Sequence, residues 1–485
     1  MSAAHAAPLV NDTWLSGRAA VFRRENPAHP GQLAGVVDMA EPADVDEAVA
    51  GALRACDDWR RRPAQERGRI LLRGADLVEA RVDELARLLT TEEGKTLAES
   101  RGEVIRTAET LRFHGMQAWQ PCGEVFHGAD PSDIVRTHRV PVGVVGVITP
   151  WNFPLNIPAW KIAPALVHGC TVVWKPASYA ALTGAAFVRV LQEAGVPAGV
   201  LQFVPGPGAR GQQLVEDRRV AAVTFTGSET VGRTIAGLCA TRGAGFQLEL
   251  GGHNPALVLP DADLELTVDA LATSITSGTG QKCTAARRIL VHDDVRDALL
   301  DRLTTRLSTV KPGDGLDPET TMGPLVSAEA RDQVQQAVDD AVSSGAEVLT
   351  SASPADAPDL DGGYYLHPTL LATDKPDLAI ACEEVFGPVS VVLGFDDVDT
   401  GFRLANGTRF GLSSSVFTRS ERLARRAADE LESGVVNINQ PTTGTELHVP
   451  FGGMKASSAP GPKEQGNTAR DFYTETKAIY ATAIG

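Results

Sequence analysis

Gln247-Leu248-Glu249-Leu250-Gly251-Gly252-His253-Asn254-Pro255-Ala256-Leu257-Val258-Leu259-Pro260, followed after a helical span by Ser277-Gly278-Thr279-Gly280-Gln281-Lys282-Cys283-Thr284-Ala285-Ala286, is the stretch from which the rest of this chain is read. It sets one carboxylate, Glu249, at the close of an apolar run that stops on paired glycines. It then sets one thiol, Cys283, behind a loop of Ser277, Gly278, Thr279 and Gly280. A cysteine becomes a thiolate near positive charge or a helix N-terminus, and Lys282 stands beside this one. A thiolate and a separate general base suffice for making a covalent thioester and then hydrolysing it. A lone cysteine near a turn is ordinarily a small buried apolar residue. Here the strand-like run, the glycine pair and the glycine-flanked thiol together favour catalysis.

Upstream of this stretch, apolar runs alternate with helical patterns. Val142 to Ile148 is a β-branched run of the kind that forms a buried parallel strand. It ends in Thr149-Pro150-Trp151-Asn152-Phe153-Pro154, where two prolines bracket one amide. Asn152 can aim its N–H at a developing oxyanion, or it can cap the next helix. Thr171 to Trp174 is a second strand, running into Lys175-Pro176-Ala177-Ser178. Ligands of open α/β sheets sit beyond the carboxyl ends of strands, so Lys175 and Ser178 stand where a nucleotide belongs, unless Lys175 is merely a surface lysine.

Val200 to Val204 precedes Gly206-Pro207-Gly208-Ala209-Arg210-Gly211, which fits the dinucleotide glycine pattern. However, Pro207 interrupts the glycines and no acidic residue ends the next strand, Val220 to Phe225. Gly227 and Ser228, opening a helix after that strand, are the better pyrophosphate candidates. Such alternation from Val142 to Leu259 predicts a doubly wound parallel sheet.

Leu264 to Ser277 is helical, and from Ile289 to Val416 strands and helices alternate again as a second α/β domain. Glu383-Glu384-Val385-Phe386-Gly387-Pro388 lies within it; Glu384 suits a ribose diol, or it belongs to a solvated acidic loop. Val435 to Asn439 reads as a strand. Toward the N-terminus, Trp14 to Val37 reads as short strands and turns, and Pro42 to Ala118 as a helical layer. Ile134 to Val140 alternates like a hairpin strand, and Phe472 to Ala481 is apolar and alternating enough to pair with a partner subunit.

The chain has 485 residues, more than one core usually fills, so two or more domains are expected. Its net charge of −16 (45 − 61) argues against nucleic acid or an anionic membrane as partner. Cys56, Cys122, Cys170, Cys239, Cys283 and Cys382 are scattered, which favours neither a disulfide framework nor a metal site. No run approaches the roughly 18 apolar residues of a membrane span. The expectation is a cytoplasmic enzyme that holds no metal.

Taken as an ordered set, Thr149 to Pro154, Lys175-Pro176, Phe225-Thr226-Gly227-Ser228, Glu249 to Gly252, Gly280 to Cys283, Glu384 to Pro388 and Pro450-Phe451-Gly452-Gly453 resemble the aldehyde dehydrogenase superfamily over nearly the whole chain. The resemblance implies an aldehyde dehydrogenase-like α/β fold. A doubly wound cofactor domain (1–121 and 141–251) would be joined by an α/β catalytic domain (252–449) and oligomerisation segments (122–140 and 450–485) of a homodimer or homotetramer. It implies that Cys283 attacks the aldehyde, that Asn152 and the Cys283 N–H hold the oxyanion, and that Glu249 activates the water that frees the acid. Retention of Glu249 argues against acyl transfer to coenzyme A. Cys283, Asn152 and Glu249 together argue against an idle homologue, and a simple thiol esterase would need no nicotinamide.

The cofactor, NAD or NADP, would meet Thr149, Pro150, Trp151, Lys175, Ser178, Gly208, Phe225, Gly227, Ser228, Val231, Leu250, Gly251, Glu384 and Phe386. NAD-preferring members often carry Glu where this chain has Ser178, so acceptance of NADP is expected. The segments 280–285, 437–453 and 461–466 resemble α-ketoglutaric semialdehyde (2,5-dioxopentanoate) dehydrogenases. The substrate's carboxylate would then meet Lys282 or Gln440, with Thr284 nearby and Phe153 and Trp160 as an apolar wall. That wall leaves hydrophobic aldehydes open as substrates.

Overall fold

The computed structural model describes residues 4–350 and 362–482. Two seven-stranded sheets carry the site. In the first, Gly245–Glu249, Val220–Thr226, Val144–Thr149, Thr171–Pro176 and Leu201–Phe203 lie side by side and parallel. The antiparallel strands Leu9–Val10 and Thr13–Trp14 extend the far edge. Every residue of Val144–Thr149 and of Thr171–Pro176 is buried, as expected for strands covered by helices on both faces.

The second sheet runs Glu347–Val348, Thr369–Ala372, Val389–Phe395, Ala286–His292, Asn254–Val258, Ser413–Phe417 and Val435–Ile438; only the first pair is antiparallel. Part of the strand–helix alternation expected between Ile289 and Val416, at 351–361, lies outside the described residues.

Only Leu250 to His253 link Gly245–Glu249 of the first sheet to Asn254–Val258 of the second. Glu249 therefore stands at the carboxyl end of one sheet, and Cys283 just ahead of Ala286–His292, at the amino end of a strand in the other. The crevice between the sheets is where the two meet.

The helical layer consists of Pro42–Arg61, Ala64–Ala80, Val82–Glu93 and Leu97–Met116. Gly94, at φ 107°, ends the third in a left-handed conformation that suits glycine. Thr96 starts the fourth: its hydroxyl accepts from the Glu99 N–H, and Glu99 Oε2 accepts from the Thr96 N–H. Lys95 is thereby pinned between two helix ends.

A third sheet pairs Thr474–Thr482 with Asp133–Pro141 in antiparallel register from Thr474–Pro141 to Thr482–Asp133, with Val125–His127 beyond. Thr474–Thr482 thus finds its first partner in its own chain, and its outer edge is open among the described residues. No helix among the described residues is long and apolar enough to cross a membrane.

Candidate active site

Cys283 is delivered by a loop of unusual backbone. Gly278, Thr279 and Gly280 are all left-handed, at φ 59°, 58° and 65°. For threonine this conformation is strained; Thr279 Oγ1 donates to the Gly323 carbonyl at 2.9 Å and so anchors it. A Cβ on Gly280 would overlap the Gly387 carbonyl. Behind the thiol, Asn254 Nδ2 donates to the Cys283 carbonyl (2.7 Å) and the Ala285 carbonyl (2.8 Å). The loop is held firmly at both ends.

Two cavities open onto Cys283. One, of about 520 Å3, is lined by Pro150, Trp151, Asn152, Gly227, Ser228, Leu250, Gly251, Glu384 and Phe386, among others. The other, of about 600 Å3, is lined by Phe153, Trp160, Glu249, Lys282, Thr284 and Gln440 together with further polar and apolar groups. Cys283 lines both.

Part of the Cys283 surface faces these cavities, yet it lies so deep that burial, joined by the charges of Glu384 and Glu249, pushes its thiol up to about 12. The expectation that Lys282 acidifies the thiol is corrected here. The Lys282 stem packs over Gly278 and its Nζ sits 5.6 Å from the centre of the Phe153 ring, so its charge lies toward the aromatic face and the larger cavity, and it is not among the charges acting on the thiol.

Glu249 is 3% exposed. Burial and the charge of Glu464 push its carboxyl up to about 8, against the opposing pull of a hydrogen bond from Ser458. Ser458 Oγ donates to Oε1 at 2.6 Å, and the Gly453 N–H donates to Oε2 at 3.2 Å. Gly453 belongs to the Pro450-Phe451-Gly452-Gly453 motif, whereas Ser458 did not stand out in the sequence.

Glu464 was missed as well. It is buried in an ion pair with Lys161 and accepts from Trp160 Nε1 at 2.7 Å. Trp160 is therefore more than an apolar wall; its indole N–H is committed to a carboxylate.

The smaller cavity lies beyond the carboxyl ends of the first sheet's strands. Ser228 precedes helix Glu229–Arg242 and its side chain caps nothing, leaving the helix N-terminus free for an anion. Glu384 Oε1 accepts from the Gly252 N–H at 3.1 Å, and a Cβ on Gly251 would overlap the Glu384 carboxylate. Trp151 and Phe386 meet edge to face at 5.7 Å. An uncapped helix end, a carboxylate for a diol and an apolar aromatic pair fit a nicotinamide dinucleotide.

Other expected cofactor residues do not line this cavity. Lys175 is buried, held down to about 8 by desolvation, and its Nζ has no hydrogen-bond or ion-pair partner among the described residues. Ser178 follows close by, its Oγ 3.5 Å from the Gly206 carbonyl. Thr149 Oγ1 accepts from Trp174 Nε1 at 2.9 Å, within the sheet. The Phe225 ring is buried beneath Gly227. Gly208 opens helix Gly208–Glu216, and Val231 is 47% exposed on its helix. None of these six lines the cavity, and no residue of 206–211 does.

Fold and site together define an α/β enzyme with a thiol poised between a nucleotide crevice and a second, substrate-sized cavity. Residues 14–479 match the model of the aldehyde dehydrogenase family. The chain is 40% identical over 474 residues to alpha-ketoglutaric semialdehyde dehydrogenase of Bacillus subtilis (strain 168), covering 97% of each chain. It is 40% identical to alpha-ketoglutarate semialdehyde dehydrogenase of Haloferax volcanii, covering 97% of this chain and 98% of that one. Among solved structures, one described as a putative aldehyde dehydrogenase from Burkholderia cenocepacia superposes with a TM-score of 0.95 at 36% identity, over 99% of this chain and 98% of the other.

The chain belongs to the aldehyde dehydrogenase family, and it is an NAD(P)-dependent enzyme that oxidises aldehydes.

Proposed function

We propose that this enzyme oxidises a small carboxylated semialdehyde, of the α-ketoglutaric semialdehyde type, through a thioester on Cys283. The observation that carries the catalytic part is that one thiol opens to both cavities. In this reading the Cys283 sulfur bonds to the aldehyde carbon as the thiol proton passes to solvent in the cavity. The carbonyl oxygen is met by the Asn152 side chain and the Cys283 N–H. Asn152 Nδ2 donates to the Gln281 carbonyl at 2.9 Å, which leaves it a second hydrogen for this purpose.

A nicotinamide dinucleotide held beside Trp151, Phe386 and Glu384 would supply the acceptor for the hydride of the substrate carbon. Trp151, Phe386 and Glu384 orient the bound dinucleotide and exclude water. Glu249 then removes a proton from the water that attacks the thioester. The C–S bond breaks, the acid departs and the sulfur regains its proton. A base with its midpoint at about 8 is partly ionised at neutral pH, which suits that step.

The preference for a carboxylated substrate is supported by Lys282. Its ammonium lines the larger cavity and makes no ion pair or hydrogen bond among the described residues. Arg106, at the same cavity, is already bonded to the Thr445 carbonyl and lies 3.6 Å from Glu446. A half-buried cation held only over an aromatic face is best satisfied by an anionic substrate group. The relatives named above for such semialdehydes agree with this choice.

Phe153, Ile157, Leu412, Val449 and Phe451 line the cavity too, and they favour a second reading as an apolar-aldehyde dehydrogenase. A panel of oxo-acid semialdehydes and neutral aldehydes of matched length, each with NAD+ and NADP+, decides between them. The carboxylated substrates are expected to lead in kcat/KM by about tenfold or more; equal or better turnover of neutral aldehydes overturns the choice.

We further infer that NADP is accepted, because unpaired Lys175 beside Ser178 offers a cation, and no carboxylate, to a 2′-phosphate. A homo-oligomer is supported by the open edge of Thr474–Thr482 and by Val125, Phe126, Ile134 and Tyr480, which are 82%, 47%, 57% and 78% exposed on that sheet.

A further inference from the structure

The turn that carries Asn152 is gripped from behind by an ion pair that the reaction above does not use. Lys95 Nζ donates to Glu103 Oε2 at 2.8 Å and to the backbone carbonyl of Asn152 at 2.5 Å. It also lies 4.3 Å from the centre of the Phe153 ring. The other Glu103 oxygen, Oε1, accepts from the N–H groups of Leu155 (2.9 Å) and Asn156 (3.1 Å). Helix Asn156–Val167 begins there behind Leu155, a residue with no capping side chain, so Glu103 serves as the cap from another helix. The two side chains are 4% and 1% exposed. One ion pair therefore fixes the turn at both ends, by its carbonyl on one side and by its amides on the other.

Asn152 itself has little hold on its own orientation. Its Nδ2 makes the one bond to Gln281, and its Oδ1 is buried without a partner. Where its amide points is decided by where the backbone is held. A buried ion pair is a costly way to obtain stability, since apolar packing of equal volume serves as well. Its directional bonds do supply orientation. Burial penalises the Lys95 ammonium, but Glu103 and Glu93 outweigh that and keep it charged.

We infer that Lys95, working with Glu103, is a positioning residue that aims Asn152 at the oxyanion and sets Phe153 in the substrate wall. This rests on the reading of Asn152 as an oxyanion donor. The test is a double-mutant cycle with Lys95→Met, Asn152→Ala and the pair, read as the first-turnover rate of nicotinamide reduction, with the dissociation constant of the dinucleotide measured alongside.

Lys95→Met is expected to slow the first turnover by about 10- to 100-fold. Dinucleotide binding should stay within about threefold, and Lys95→Arg should recover part of the loss. In the Asn152→Ala background, Lys95→Met should cost less than about threefold more. Losses that multiply, or an unchanged rate in Lys95→Met, overturn the positioning role while leaving Asn152 in place. An Asn152→Ala enzyme of full rate removes the oxyanion reading and this inference together. Should Lys95→Met fail to fold, Glu103→Gln takes its place in the same cycle, since it keeps an acceptor for the two amides and weakens only the grip on Nζ.

Discussion

Replacing Glu249 by Gln should strengthen the fold while halting turnover. The folded protein holds this carboxyl at about 8 against an ordinary 4.5, with burial as the main cause and Glu464 next. A carboxyl raised on folding binds its proton more tightly in the native state. Its contribution to stability is therefore greatest below pH 4.5 and is lost as pH rises through about 8. At about 1.4 kcal/mol per unit, the carboxylate costs on the order of 5 kcal/mol above pH 8 and under about 1 kcal/mol at pH 5.

Glutamine fits the same bonds. Its oxygen can take the Gly453 N–H, and its amide can donate to Ser458 Oγ, which is free to donate to the Leu248 carbonyl at 3.1 Å. Thermal melts of wild type and Glu249→Gln at one scan rate, at pH 5 and pH 9, should show the variant ahead at pH 9 and the gap closing at pH 5. In stopped flow the variant should still reduce one dinucleotide per site and then stall. Equal melting at both pH values, or a full steady-state rate, refutes the reasoning.

The Ser458 hydrogen bond holds the Glu249 carboxyl below where burial alone would put it. Ser458→Ala should therefore move the rising limb of the kcat–pH profile to higher pH by about one unit, measured under acyl-release-limited conditions. Gly251→Ala should push the Glu384 carboxylate aside and weaken dinucleotide binding about tenfold, seen by fluorescence titration with the reduced cofactor. Ser178→Glu should lower kcat/KM with NADP+ by about tenfold or more and spare NAD+, because it sets a like charge against a 2′-phosphate.

Much of the architecture was legible because strand ends write themselves locally. Apolar runs stop at Pro150, Lys175, Gly227 and Gly251, and each stop falls at or beside the carboxyl end of a parallel strand. Glu249 and Cys283 converge because four residues carry the chain from one sheet to the next. What was not legible comes from partners far apart in sequence. Ser458 lies 209 positions from Glu249, and Glu464 lies 303 from Lys161. No periodicity encodes such pairs. The neighbour effect expected of Lys282 was not legible either, since adjacency in the chain does not say which way a long side chain turns. It turned to the Phe153 ring, and burial was left to govern the thiol.

The central claim is a covalent acyl group on one sulfur. Glu249→Gln enzyme mixed with aldehyde and NADP+ or NAD+, quenched in acid and digested, should yield the Cys283 peptide heavier by the substrate mass less two hydrogens, with one equivalent of reduced dinucleotide. A burst of reduction without that adduct, or a burst that persists in Cys283→Ala, contradicts it.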